Sequence, residues 1–176
     1  MENIIWQYIL CNYKNILILD IKKVRYKEFK NYIIYSFLMH NEIITYYSKN
    51  PPNKWVLEDY DVEFWEENRT CGDDLKVYVK IQDNKIKYWS FTWDTAIITT
   101  ACASIFWESI IDMDINEILT FDYNYIRQLI ESDLSEKRKK AWVLGLLTTR
   151  NAIHKFLGDW KKDTFDDLIE NSISAC

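Results

Sequence analysis

Residues Leu75-Lys76-Val77-Tyr78-Val79-Lys80-Ile81-Gln82 place an aliphatic side chain at every second position. A helix cannot bury that pattern, because its faces recur about every 3.6 residues. A strand can, since successive side chains point to opposite faces. Leu75, Val77, Val79 and Ile81 are therefore expected on one buried face, towards a layer of helices. Asp83-Asn84 follows as a two-residue turn, with Asn84 tolerating the left-handed region. Lys85–Trp93 then reads as the antiparallel partner, its core over Lys85–Phe91. An earlier strand is expected within Trp55–Trp65, around Tyr60–Phe64. Pro51-Pro52 forbids helix before it and pushes Asn50 to an extended conformation.

The remainder reads as helix. Asp94 or Thr95 caps a helix running to about Ile110. Asp114 with Glu117 opens a short one, and Asp122 another. Asp133 with Glu136 starts a long helix that Gly158 ends. Thr164 with Asp167 starts the last. Strands followed by helices make an α+β fold: a three-stranded antiparallel sheet with helices packed on one face.

A chain of 176 residues suggests one domain. A net charge of −5 lacks the basic footprint of a nucleic-acid binder. The four cysteines, Cys11, Cys71, Cys102 and Cys176, are far apart and form no CxxC pair. That spacing suits neither a disulfide framework nor a zinc finger, so a reducing, cytoplasmic setting is expected. No apolar run approaches the length that spans a membrane, and the first residues lack the basic region of a signal peptide. No Ser/His/Asp set and no glycine-rich phosphate loop is present, so hydrolytic catalysis is not expected.

Just ahead of the alternating run stands Asn68-Arg69-Thr70-Cys71-Gly72-Asp73-Asp74. Cys71 and Asp73 sit together at a strand mouth. Gly72 between them lets the backbone take φ > 0 or approach a ligand closely. A thiolate beside a carboxylate is the beginning of a metal site. A cysteine in a turn, capped by an aspartate, is the other reading, and these three residues alone do not separate the two.

The order of the neighbouring elements is more specific. Cys-Gly-Asp, a strand, a turn, a second strand and a helix rich in small residues resemble the NifU amino-terminal family, the IscU and SufU type of iron–sulfur scaffold. Asn50-Pro51-Pro52-Asn53 matches the family's first block and Asn68–Asp73 its second. Phe91–Ser104 matches the third, and Lys137–Gly145 the segment that carries the third family cysteine. The resemblance runs from about Met39 to Leu157. It divides the chain into residues 1–38, an extension outside the family, and residues 39–176, the NifU-like domain.

The resemblance implies a non-enzymatic scaffold on which a [2Fe–2S] cluster or iron is assembled, with sulfur supplied by a cysteine desulfurase. A chaperone or acceptor apo-proteins, and a homodimer, belong to the same picture; nucleic acid and membrane do not. In the family three cysteines and an aspartate converge near a helix amino terminus, which lowers a thiol's pKa and favours thiolate. Cys71 and Asp73 match the first cysteine and the aspartate, and are the implied metal and cluster ligands. The second and third cysteines fall on Ala96 and Ala141. A cluster normally takes four thiolates, and methyl groups coordinate nothing. Alternatives therefore stay open: a docking or regulatory module that holds no cluster, or a zinc-dependent sulfur acceptor. Cys102 matches a family serine and is expected to be a buried small residue. His154 is expected to be a surface or interhelix residue, His40 solvated. Lys140 is expected either to pair with Asp73 or to steer an acidic partner.

Usage near about 7% would give roughly twelve glycines; the chain has three, with eight tryptophans. Trp55 and Trp93 stand where the family has glycine, and Trp65 lies within about one residue of a third. A source that reads UGA as glycine, translated as if UGA were tryptophan, would produce this pattern.

Overall fold

The computed structural model describes residues 42–130 and 138–169. Residues 1–38, His40, Cys11 and Cys176 lie outside the described residues. So does the expected helix start at Asp133 and Glu136.

The sheet has three strands, β1 (Val62–Asn68), β2 (Asp73–Gln82) and β3 (Lys85–Asp94), in that order and antiparallel throughout. Asp83 and Asn84 form the β2–β3 turn with φ of 54° and 59°. Both central residues are left-handed, the geometry that matches the twist of a tight hairpin. Leu75, Val77, Val79 and Ile81 are all buried, as their alternation implies. Opposite them Phe91 faces Val77, Trp89 faces Val79 and Ile86 faces Ile81. Trp89 and Ile86 are three residues apart and would fall on opposite faces of a regular strand. A register shift beside Lys80 and Ile81 skips Lys87 and returns both side chains to the core.

β1 begins later and runs further than the expected Tyr60–Phe64. Its inward positions are Val62, Phe64, Glu66 and Asn68, opposite Val79, Val77, Leu75 and Asp73. The last two are polar, so the apolar pattern stops while the strand continues. Glu66 accepts from Asn151 Nδ2 at 3.2 Å, and Asn68 builds the turn between β1 and β2. On the other side, the outer edge of β3 is covered. Phe91 N–H donates to Asn53 O, and Ile86 N–H to Met113 O. Covering an edge in this way leaves fewer open backbone groups for another chain to pair with.

Residues 42–49 form a helix, α1. After the sheet come α2 (Ile97–Ser109), α3 (Ile115–Ile118), α4 (Tyr123–Ile130), α5 (Lys139–Leu157) and α6 (Phe165–Ile169). Three expected caps are present: Asp114 accepts from Asn116 N–H, Asp122 from Asn124 N–H, and Thr164 pairs with Asp167. Gly158 closes α5 at φ +66°. The α2 start differs: Ala96 is its N-cap and offers no side-chain bond.

α5 is the central helix, packed on β1 and β2 and crossed by α2. The crossing is close. A Cβ on Gly145 would lie 2.8 Å from Ala103 Cβ. Trp107 Nε1 donates across it to Thr149 Oγ1 at 2.8 Å. The Trp107 ring meets Phe91 at 4.5 Å and Trp89 at 5.0 Å between centroids, fastening α2 to the sheet. The arrangement is the α+β layer expected, with helices on the face that carries Leu75 and Val77.

Candidate functional site at the start of α2

The β1–β2 turn is built on Asn68. Its carbonyl accepts from Cys71 N–H at 3.2 Å and Gly72 N–H at 2.9 Å, and its Oδ1 accepts from Thr70 N–H at 3.2 Å. Gly72 has φ +77°, where a side chain would be strained. This conformation leaves Cys71 exposed and turns Asp73 inward, to 3% exposure.

Asp73 bonds the N-cap residue itself. Its Oδ1 takes the Ala96 N–H at 2.6 Å and its Oδ2 the Thr99 hydroxyl at 2.6 Å. Thr99 is the third residue of α2 and is fully buried. In a capping box a residue of the helix itself bonds the N-cap N–H; here a strand residue does so. The same Oδ2 accepts the Cys71 thiol at 2.9 Å. In the sequence Thr99 is one small residue among many in its helix. Its place three residues after the N-cap is the signal that could have marked it.

Cys71, Asp73, Ala96 and Ala141 all line one open pocket of about 570 Å³. Asn68, Thr70, Ile97, Ile98, Thr99, Arg138 and Lys140 complete it. The wall is mainly apolar, with the thiol and two cationic side chains among its few polar groups. The four positions that the correspondence names thus share one pocket wall at the start of α2.

The electrostatics differ from the expectation. Partial burial pushes the Cys71 thiol up, and the neighbouring Asp73 adds to the rise. The helix amino terminus would favour thiolate. Here a carboxylate already occupies that terminus and opposes a second negative charge. Lys140 is not the partner of Asp73: its ammonium stands 5.4 Å from the Phe165 ring centroid. Cys102 is fully buried in α2, and burial pushes its thiol up. His154 is buried rather than at the surface. Its Nδ1 meets Asp159 Oδ2 at 2.8 Å and its Nε2 Asp163 Oδ2 at 3.4 Å, fastening the segment after α5.

Among the described residues no three His, Cys, Asp or Glu side chains are grouped to hold a metal ion. The donor set in the pocket is one thiol and one carboxylate. It does not fit a cluster held by one chain. It does fit part of the shell of a single divalent ion completed from outside.

Residues 38–163 match the family model of the NifU-like N terminal domain. The chain belongs to that family. It is 26% identical over 134 residues to the iron–sulfur cluster assembly scaffold protein IscU of Thermotoga maritima, covering 67% of this chain and 94% of the relative. Two crystal structures share the fold. The amino-terminal NifU-like protein of Brucella abortus aligns with a TM-score of 0.57 at 15% identity, covering 69% of this chain and 96% of that one. A scaffold protein of the SUF system from Fervidobacterium islandicum aligns with a TM-score of 0.56 at 23% identity, covering 64% and 94%. As a NifU-type domain, the chain keeps the Cys-Gly-Asp turn and has Ala96 and Ala141 where the resemblance calls for cysteine.

Proposed function

We propose that this NifU-type chain works in iron–sulfur cluster assembly as a scaffold-like protein and not as an enzyme. Cys71 and Asp73 are its metal- and cluster-facing residues. The observation that carries the reading is the meeting of Cys71, Asp73, Ala96 and Ala141 in one pocket at the start of α2. A cysteine desulfurase is the sulfur donor. Cys71 thiolate attacks the outer sulfur of the donor's persulfide. The donor's S–S bond breaks, a new S–S bond forms on Cys71, and the donor cysteine leaves as thiolate. Arg138 and Lys140 at the pocket suit an acidic donor surface. Acceptor apo-proteins or a chaperone take the product.

Iron or a [2Fe–2S] cluster is cargo here, and the described residues of a single chain supply two of its four ligands, Cys71 and Asp73. The others come from a second copy or from a bound thiol. Residues 39–176 are the working domain and 1–38 an extension; the family match beginning at residue 38 supports that division. The cytoplasm supplies the reducing conditions that a free Cys71 needs, and no helix among the described residues is long and apolar enough to cross a membrane. Ala96 and Ala141 favour a second reading, a module that docks on the assembly machinery without holding a cluster. A zinc-bound sulfur acceptor using Cys71 is a third.

The test is reconstitution with iron and sulfide, read by visible absorbance and iron per chain, with Cys71→Ala as control. The natural chain is expected to hold little cluster as a monomer, and Ala96→Cys with Ala141→Cys to recover it. A restored chain that still takes no metal would favour the docking module. Transfer of labelled sulfur from a desulfurase to Cys71, absent in Cys71→Ala, separates sulfur acceptance from docking.

A further inference from the structure

The Asp73 carboxylate holds three hydrogen bonds, and they divide its oxygens unequally. Oδ1 is taken by the Ala96 N–H. Oδ2 is shared by the Thr99 hydroxyl at 2.6 Å and the Cys71 thiol at 2.9 Å. A carboxylate offers about four lone-pair positions. With the Ala96 and Thr99 bonds in place its plane cannot turn, and one lone pair of Oδ2 stays aimed at Sγ. Only the thiol proton lies between them.

A thiophilic divalent cation that displaces that proton meets two adjacent donors. Bonds of about 2.3 Å to sulfur and about 2.1 Å to oxygen set tetrahedral ligand atoms roughly 3.5 Å apart. The Cys71–Asp73 pair would need to open by about 0.6–0.7 Å from its 2.9 Å separation. Thr99 is fully buried at the wall of the pocket, so its hydroxyl is held by packing as well as by the bond to Asp73. Groups that hold a metal ligand in orientation typically change affinity by about 10–100-fold when removed.

We infer that Thr99 is a positioning residue of this site. Its hydroxyl fixes the Asp73 carboxylate so that Oδ2 and Cys71 Sγ present themselves together to one thiophilic divalent cation. Thr99 does not touch the cation. The remaining positions of the shell go to water or an outside thiol. The inference rests on the reading of Cys71 and Asp73 as metal-facing residues and names what makes them a pair.

The experiment titrates cobalt(II) alone into the full reduced chain and follows the thiolate-to-cobalt absorption. Cys71→Ala supplies the baseline from the other cysteines, and thermal unfolding is recorded for every variant. Thr99→Val is expected to weaken the Cys71-dependent signal about tenfold or more, and Thr99→Ser to restore it to within about threefold. Thr99→Ala removes the hydroxyl without forcing a methyl against the carboxylate. It is held to the same outcome should Thr99→Val not fold. Folded hydroxyl-less variants that bind cobalt within about twofold of the natural chain, while Asp73→Ala does not, overturn the role of Thr99 and leave the metal pair standing. A natural chain with no Cys71-dependent absorption overturns the pair and this inference together.

Discussion

Asp73 joins the first turn of α2 to the end of the sheet through a single side chain. Replacing it with alanine leaves the Ala96 N–H and the buried Thr99 hydroxyl without their acceptor. Hydrogen bonds to a charged group contribute about 1.5–3 kcal/mol each, part of which relaxation recovers. Asp73→Ala is expected to lose about 2–3 kcal/mol in urea unfolding with an unchanged slope. The Cys71 thiol, pushed up by burial and by Asp73, gives up its proton later than an ordinary cysteine as pH rises. Its alkylation should be slow at neutral pH and accelerate only in the alkaline range, checked peptide by peptide with iodoacetamide. Trp160 has φ +62° and is 98% exposed, so nothing packs to hold it there. The other non-glycine residues with positive φ, among those described, are all Asn or Asp, which tolerate that region. A bulky L-residue in the left-handed region costs roughly 1–2 kcal/mol, so Trp160→Gly should stabilise by about 1 kcal/mol despite its looser unfolded chain. The tryptophans also divide: Trp89, Trp107 and Trp142 are buried, whereas Trp55, Trp65 and Trp160 are exposed. If UGA encodes glycine in the source, codons 55, 65 and 93 read UGA and the intact mass of the natural protein falls accordingly; UGG at these three codons ends the idea.

At the scale of elements, the α2–α5 crossing is set by a missing side chain. Gly145 lets the helices approach until an added Cβ would lie 2.8 Å from Ala103 Cβ and 2.9 Å from its Cα. Two helix backbones must separate to relieve that contact. The Trp107–Thr149 bond and the Trp107–Phe91 ring contact both depend on the present spacing. Gly145→Ala is expected to destabilise by about 1–3 kcal/mol, as overpacking does, although alanine is the better helix former. Chemical unfolding measures it. The separation also reaches the site, because Ala141 lies one turn earlier on α5 and lines the pocket with Ala96. The boundaries of β1 show where periodicity stops being informative. Glu66 and Asn68 face inward because Asn151 and the turn amides satisfy them, and a pattern of apolar residues cannot register a polar residue whose partner lies elsewhere.

For the whole molecule, the one thiol that the described residues place in the pocket, Cys71, sets the stoichiometry expected of anything built there. A cluster that forms on the natural chain should appear only in a dimer or with an added small thiol. Light scattering of the iron- and sulfide-treated protein, with and without thiol, reads this directly. A cluster on a thiol-free monomer would contradict the ligand count. Much of the architecture is determined locally. The period-two run, the Asp83-Asn84 turn and the Asp114, Asp122 and Thr164 caps depend on neighbours within a few residues, so the sequence by itself determined the hairpin, three helix starts and the class of the fold. Correspondence with a family, rather than any pattern, pointed to the pocket formed by Cys71, Asp73, Ala96 and Ala141. Only the tertiary structure decided the rest: the skipped Lys87, the inward Glu66 and Asn68, the Thr99–Asp73 bond and the upward direction of the Cys71 pKa. The skipped Lys87, Glu66 and Thr99 are answered by segments distant in the chain, and the Cys71 shift comes from burial and the inward turn of Asp73; such contacts exist only once packing has brought donor and acceptor to within about 3 Å.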